Sequence, residues 1–199
     1  MAKLSAFNNI SLDGYFSGKN GEWAWAKSHM DPEFNAFVAS NAQMGGTLVF
    51  GRITYELMAG YWPTGQATKA DPVVAERMNN LPKIVFSRTL SSVSWANTRL
   101  VKTDPATEIR KLKSSSADDM VILGSGSIVS QLAQAKLIDE FQVVVNPIIL
   151  AEGRTMFEGV KHSLSLKMTR NRIFASGNAF LCYEPAAKGA SHGRTIGNS

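Results

Sequence analysis

The sequence predicts an α/β protein: a central mixed sheet, mostly parallel, with helices on both faces and an antiparallel hairpin at its C-terminal edge. Three observations lead there. Short apolar runs such as Thr47-Leu48-Val49-Phe50, Lys83-Ile84-Val85-Phe86 and Met120-Val121-Ile122-Leu123 alternate with segments of helical character. That alternation builds a largely parallel sheet covered on both sides. Two strand-like runs near the C-terminus are joined by Ser176-Gly177-Asn178, a hairpin signal. Finally, 44% of the 199 residues are hydrophobic and 19% charged, with a mean hydropathy of −0.08, which is the profile of a folded domain.

Residues 3–10 read as the opening strand, ending in Asn8-Asn9. Residues 11–27 are turn-rich yet carry Tyr15, Phe16, Trp23 and Trp25. A long loop with so many aromatics is a functional loop more often than filler. Asp31-Pro32 starts a helix with an N-cap and a proline in its first turn, and Phe34, Phe37 and Val38 give it an apolar face. Residues 47–50 form a buried-type strand, followed by Gly51 and a helix from 52 to about 58. A helical stretch over 72–79 leads to the strand 83–87, and 94–101 holds another short strand. Asp104-Pro105 opens a helix through Lys113, again with cap and proline. Residues 120–123 are a strand, 124–127 a glycine-serine turn and 128–135 a helix. A long strand over 140–150 is interrupted by Pro147. Strands over 164–174 and 179–183 make the hairpin.

We read residues 1–184 as one domain and 185–199, small, polar and aperiodic, as a disordered tail. The single cysteine, Cys182, excludes an internal disulfide and a thiolate zinc cage, so no metal site is expected. No apolar run is long enough to span a bilayer, and the N-terminus lacks a signal pattern, so a cytoplasmic protein without membrane contact is expected. The net charge is +5, and the tail holds Lys188 and Arg194 with no acid. Lys111 and Lys113 lie near Glu108, Asp118 and Asp119, which reads as a solvated helix face and not as a nucleic-acid surface. An anionic small molecule suits the mild positive balance better.

Ligands of open α/β sheets bind beyond the carboxyl ends of the strands, where backbone amides and helix N-termini face the crevice. Three turns stand at such points. Gly51-Arg52-Ile53-Thr54-Tyr55-Glu56 follows the 47–50 strand; its glycine admits close approach, and Arg52 and Thr54 suit a phosphate. Ser87-Arg88-Thr89 follows the next strand, with two hydroxyls flanking a guanidinium. Gly124-Ser125-Gly126-Ser127 lies between a buried strand and a helix, where amides and dipole favour an anion. Taken singly, each is also an ordinary polar turn. Together they suggest an extended ligand with several phosphates, as a dinucleotide has. Gly124-x-Gly126 lacks the third glycine of a Rossmann fingerprint, and there is no P-loop.

The order of these motifs resembles the dihydrofolate-reductase superfamily, with its three-layer dihydrofolate-reductase-like fold. Val49-Phe50-Gly51-Arg52-Ile53-Thr54-Tyr55-Glu56, Pro82-Lys83-Ile84-Val85-Phe86-Ser87-Arg88 and Val121-Ile122-Leu123-Gly124-Ser125-Gly126-Ser127 carry that likeness. Ile10-Ser11-Leu12-Asp13-Gly14 and Leu137-Ile138-Asp139-Glu140 are similar to one branch, the reductase domain of the bifunctional riboflavin-biosynthesis deaminase-reductase and its single-domain relatives. The resemblance implies NADPH as hydride donor. It implies Arg52 and Thr54 at the cofactor phosphates, Ser87, Arg88 and Thr89 near the adenosine 2′-phosphate, and Gly124 to Ile128 along the pyrophosphate and nicotinamide. It also implies that Asn8, Asp13 and the aromatic loop with Trp25 face nicotinamide and substrate, the loop acting as a water-excluding lid.

The departures bear on the substrate. Where a folate reductase keeps a carboxylate on the first helix, this chain has Asn35, with Glu33 the nearest acid. Where the riboflavin enzyme has a glutamate before its glycine turn, this chain has Leu123, and residues 34–43 contain no Lys, Arg or His. Both substrates are disfavoured, and the deaminase half is excluded for want of cysteines. The candidate proton donors are Asp13 and Glu33; His29 and Tyr55 are weaker, and Tyr55 is assigned to the substrate side. No Ser-His-Asp set points to a hydrolase. The expectation is an NADPH-dependent reductase acting on a small heterocyclic or sugar-like molecule. The alternative is a nucleotide-binding regulatory protein that kept the cleft without turnover. The resemblance further implies a homodimer paired through the sheet edge and C-terminal strands.

Overall fold

Strands buried on both sides read as continuous apolar runs, and these runs form the middle of the sheet. A computed structural model describes residues 1–29, 31–43 and 46–187. In chain order it contains β1 (Leu4–Ser11), β2 (Tyr15–Ser17), a 3-10 turn (Ala24–Lys27), α1 (Pro32–Gln43), β3 (Thr47–Gly51), α2 (Arg52–Tyr61), α3 (Gly65–Ala70) and α4 (Pro72–Asn80). There follow β4 (Lys83–Phe86), β5 (Thr98–Val101), α5 (Pro105–Ser115), β6 (Met120–Leu123), α6 (Gly126–Gln134), β7 (Glu140–Asn146), β8 (Arg154–Thr155), β9 (Leu166–Ile173) and β10 (Ala179–Pro185). The eight-stranded sheet has the order β5-β4-β3-β6-β1-β7-β10-β9. From β5 to β7 neighbours are parallel, and β10 and β9 close the edge as an antiparallel hairpin.

Alternate residues of each strand serve opposite layers. Val49 and Ile122 pack with Ile109 of α5 and Ile128, Val129 and Leu132 of α6. Leu48 and Phe50 pack the other way, with Tyr55 of α2 and Val74 and Met78 of α4. On that second face Phe34 and Phe37 of α1 meet Phe174 and Phe180 of the hairpin at centroid distances of 4.7 to 5.2 Å. The expected α/β sandwich with an antiparallel edge is therefore the observed fold. Among the described residues, no helix is long and apolar enough to cross a membrane.

Three Asp-Pro pairs set helix starts. Asp31, Asp71 and Asp104 each accept the amide of the residue three positions on, while Pro32, Pro72 and Pro105 occupy first-turn sites that have no amide to satisfy. Expected boundaries shift by a few residues: α2 runs on to Tyr61, α6 starts at Gly126, and β7 ends at Asn146, directly before Pro147. Three elements were not foreseen: β2, α3 and the two-residue β8, which pairs with β2. Pro185, expected in the tail, is the last residue of β10, and Ala186 N donates to Ser165 O. The rest of the expected tail, 188–199, lies outside the described residues.

Lys113 is not on a solvated face. Its ammonium is 13% exposed and bonds Leu137 O (3.0 Å) and the Asp139 carboxylate, which also accepts Leu4 N, so it pins α5 to the start of β1. Lys83 is buried more deeply, at 1% exposure. Its Nζ donates to Asn79 O, Leu81 O and Ala96 O at 2.7 to 3.1 Å and lies 4.6 Å above the Trp95 ring. Burial pulls its pKa down to about 8. Replacing Lys83 by Met orphans three carbonyls, and we expect urea denaturation to read a loss of about 2–4 kcal/mol. Because the folded value lies below the unfolded value of about 10.4, protons favour the unfolded chain. Wild-type stability therefore gains a rising contribution between pH 8 and 10 that Lys83→Met lacks.

Candidate functional site

The chain starts β1 in the middle of the sheet, moves outward through β3, β4 and β5, and returns to place β6 between β3 and β1. The order reverses there, and such a switch point opens a crevice at the carboxyl ends of the strands. Two of the three predicted turns meet in it. Gly51 N donates to Ser125 Oγ at 2.7 Å, and Ser125 N donates to Thr54 Oγ1 at 3.0 Å. Gly124 and Ser125 are both left-handed, with φ of 59° and 58°. Ser125 O closes the first turn of α6 by accepting from Ile128 N and Val129 N, and Gly126 and Ser127 stand at that helix's open end. Side chains press on both glycines: a Cβ on Gly51 would sit 3.1 Å from Ile128 Cγ1, and one on Gly124 3.1 Å from Thr54 Cγ2.

A groove of about 440 Å³ leads away from this turn between the N-termini of α5 and α6, lined by Asp104, Ala106, Gly126, Ser127 and Gln131, with Arg154 and Thr155 on its far wall. The third predicted turn lies on the next strand outward. Its Ser87 hydroxyl is used within the turn, accepting Thr89 N and Leu90 N at 3.2 and 3.0 Å and meeting Thr89 Oγ1 at 3.3 Å. Arg88 is exposed. Asp104 is held below the usual carboxylate range by Thr107, first through its amide and then its hydroxyl, and further by the charges of Arg110 and Arg88. Arg52 does not face the Gly124 turn. Its guanidinium is half exposed and paired with Glu56 at 2.9 Å, on the flank of α2 away from Thr54.

The other expected residues divide. Asn8 lies within β1, one residue past the Phe7–Leu123 pair and so beside the turn, 3% exposed, and its Nδ2 has no hydrogen-bond partner. An orphaned donor at that depth is costly unless something accepts from it. Ile128 is core, 4% exposed, and supports the turn from beneath. Tyr55 is not on the substrate side: it is buried at 4%, packs on Trp95, and its hydroxyl accepts Ser94 N and Trp95 N. Trp25 is half buried in the 3-10 turn, its Nε1 bonded to Glu22 O.

Neither expected proton donor is free. Asp13 accepts the Ser11 hydroxyl at 2.6 Å together with Leu150 N and Ala151 N. These bonds, the Ser11 one foremost, hold its pKa below the usual range, so it carries no proton at neutral pH. Glu33 faces the hairpin, where it pairs with Arg172 at 2.6 Å.

Sequence reasoning named Phe16 within the aromatic loop but not what it covers, and it missed the contact of Lys27 with Tyr61. The Phe16 ring covers Gly126 so tightly that a Cβ there would sit 2.7 Å from it. Lys27 Nζ lies between two rings, 4.6 Å from Trp23 and 4.7 Å from Tyr61, tying the aromatic loop to the end of α2. The aromatic content of the loop was the signal; which ring touches what depends on contacts distant in sequence.

Comparison with known proteins adds the following. The family model of the RibD C-terminal domain matches residues 2–182. The uncharacterized protein YyaP of Bacillus subtilis (strain 168) is 29% identical over 178 residues, covering 87% of this chain and 90% of that protein. A putative riboflavin biosynthesis protein from Shewanella sp. PV-4 superposes with a TM-score of 0.74 at 24% identity, covering 94% of this chain and all of the other. Dihydrofolate reductase from Enterococcus faecalis, solved with NADP(H) and RAB-propyl, gives 0.63 at 18% identity, over 93% of this chain and 97% of the other. Both likenesses are of the dihydrofolate-reductase-like fold.

Asp13 therefore acts as a staple between the end of β1 and the 150–151 turn. We expect Asp13→Asn to lower Tm at pH 7. A depressed folded pKa adds stability above the unfolded value of about 3.9 that is lost as pH falls through the folded value. The gap between wild type and variant in thermal scans should then close in acid, below the ordinary aspartate range.

Proposed function

This chain belongs to the RibD C-terminal domain family, and on that premise we propose that it is an oxidoreductase carrying a hydride from NADPH to a small acceptor, heterocyclic or sugar-like, as a cytoplasmic homodimer. The observation that carries the proposal is the interlock of Gly51, Ser125 and Thr54, which aims the open end of α6 into a crevice at the strand switch point. Amides at a helix N-terminus favour phosphate oxygens. The residues suit the group. Gly126 and Ser127 would hold the pyrophosphate, and Arg88 and Thr89 the outer phosphate. The unpartnered Nδ2 of Asn8 supports the same assignment, since a bound polar group gives it an acceptor.

The dihydronicotinamide supplies the hydride; the chain binds, orients and excludes water. Phe16 keeps solvent off Gly126. With Asp13 and Glu33 both engaged, water is assigned the proton. The same engagement favours the second reading, a nucleotide-binding protein without turnover. In support of a homodimer, β9 has a partner on one side only and leaves Met168 and Ile173 at 44% and 67% exposure. Sedimentation at twice the chain mass would bear that out, and sedimentation at the monomer mass would end it.

Quenching of tryptophan fluorescence on titration with NADPH tests the cofactor. Thr54→Val strands Ser125 N, and we expect Kd to rise about ten-fold, a loss of about 1.4 kcal/mol. Lys111→Ala, on the exposed face of α5, should leave Kd unchanged. No saturation at millimolar NADPH, or equal effects in both variants, would overturn the proposal. Saturable binding with no oxidation across pterin, pyrimidine and carbonyl acceptors would move it to the second reading.

A further inference from the structure

We propose that Asp104 sets the nucleotide preference of the site: its carboxylate accepts from the adenosine ribose and opposes Arg88, so the chain separates NADPH from NADH by less than about ten-fold. The proposal rests on the reductase reading above. The two nucleotides differ only at the adenosine 2′ position, which carries a phosphate in one and a hydroxyl in the other. Preference is therefore decided by the charges that meet that end. With its pyrophosphate at Gly126 and Ser127 and its nicotinamide at the β1–β6 switch point, the dinucleotide extends its adenosine half outward, into the groove between α5 and α6. At about 440 Å³ that groove is of small-ligand size.

Asp104 and Arg88 reach the groove from neighbouring strands. β4 and β5 are parallel partners, and Ser87 N donates to Val101 O at 3.1 Å. The turn after β4 thus lies against the segment that leads from β5 to Asp104. Asp104 lines the groove, and Arg88 is exposed beside it. The Thr107 amide and hydroxyl, and after them the charges of Arg110 and Arg88, keep Asp104 ionised at neutral pH. Both Thr107 bonds fall on Oδ2, at 2.8 and 2.9 Å, which leaves Oδ1 to accept from a ligand. Among the described residues neither Asp104 nor Arg88 is held in an ion pair. The other two charges of the groove, Arg154 and Glu158, meet each other at 3.4 Å.

A carboxylate in this place acts on the two nucleotides with opposite sign. It accepts from the ribose hydroxyl of NADH in a charge-assisted bond, and it repels the phosphate of NADPH. Arg88 does the reverse, drawing the phosphate and gaining little from the hydroxyl. A site with the guanidinium alone would select NADPH, and one with the carboxylate alone would select NADH. With both present the two preferences offset each other.

Quenching of tryptophan fluorescence gives Kd for each nucleotide, and the readout is their ratio, which a folding fault that weakens both does not move. In wild type we expect NADPH to bind less than about ten-fold more tightly than NADH. Asp104→Asn keeps a capping oxygen for Thr107 N and should widen the ratio about ten-fold, tightening NADPH and weakening NADH. Arg88→Ala, at an exposed side chain, should abolish the preference for NADPH. A wild-type ratio above about ten, or an unchanged ratio in either variant, would overturn the inference and leave NADPH binding standing. Failure of the wild-type protein to bind either nucleotide would instead remove the reductase reading and this inference with it.

Discussion

The crevice depends on one residue held in an unfavourable conformation. Ser125 has φ of 58°, a region that costs a side-chain-bearing residue about 1–2 kcal/mol. It is kept there by bonds in every direction: its hydroxyl accepts Gly51 N, its amide donates to Thr54, and its carbonyl accepts Ile128 N and Val129 N. Each bond to a buried group is worth about 1 kcal/mol net, so together they offset the strain. Glycine at this position would relieve φ and lose the hydroxyl that satisfies Gly51 N. The hub therefore joins the end of β3 to the end of β6 and fixes the direction of α6, from which the site's geometry follows.

The acids of this chain work mainly as backbone staples. Asp31 accepts Phe34 N at the start of α1 and Ser176 N in the hairpin, joining helix to sheet edge. Asp13 does the same for β1 and the 150–151 turn, and Asp104 for α5. In all three the bonds to amides or hydroxyls depress the pKa, so the groups stay ionised through neutral pH. A carboxylate so employed is a poor proton donor. This is the physical reason for assigning proton delivery to water.

Local signals carried most of the architecture. Met120–Leu123 was legible because an apolar run is bounded by Asp118-Asp119 and Gly124, and α5 because Asp104-Pro105 is a start signal within four residues of its first apolar contact, Ile109. What failed was non-local. Lys113 looked solvated beside acids in sequence, but Leu137 O and Asp139 come from 24 and 26 residues away. Tyr55 sits inside a motif read for its ligand contacts, yet one residue on from Thr54 the helix has turned toward Trp95. Gly65–Ala70 has no apolar period, and its helix is fixed by the Thr64 cap and packing on α4. The glycines of the site were readable as a set; their interlock was not, since Gly51 and Ser125 are 74 residues apart.

The loop between β1 and α1 explains how the two halves of the crevice are joined. At Phe16 it lies on the α6 side of the sheet, over Gly126, with β2 paired to β8 on the wall of the groove between α5 and α6. At Lys27 it lies on the α2 side, clasped between Trp23 and Tyr61. Its two ends are anchored, through Asp13 to the 150–151 turn and through the His29 carbonyl to Asn178 of the hairpin. The loop therefore joins the α6 side of the sheet, at Phe16 and Gly126, to the α2 side, at Lys27 and Tyr61, although these lie against different layers.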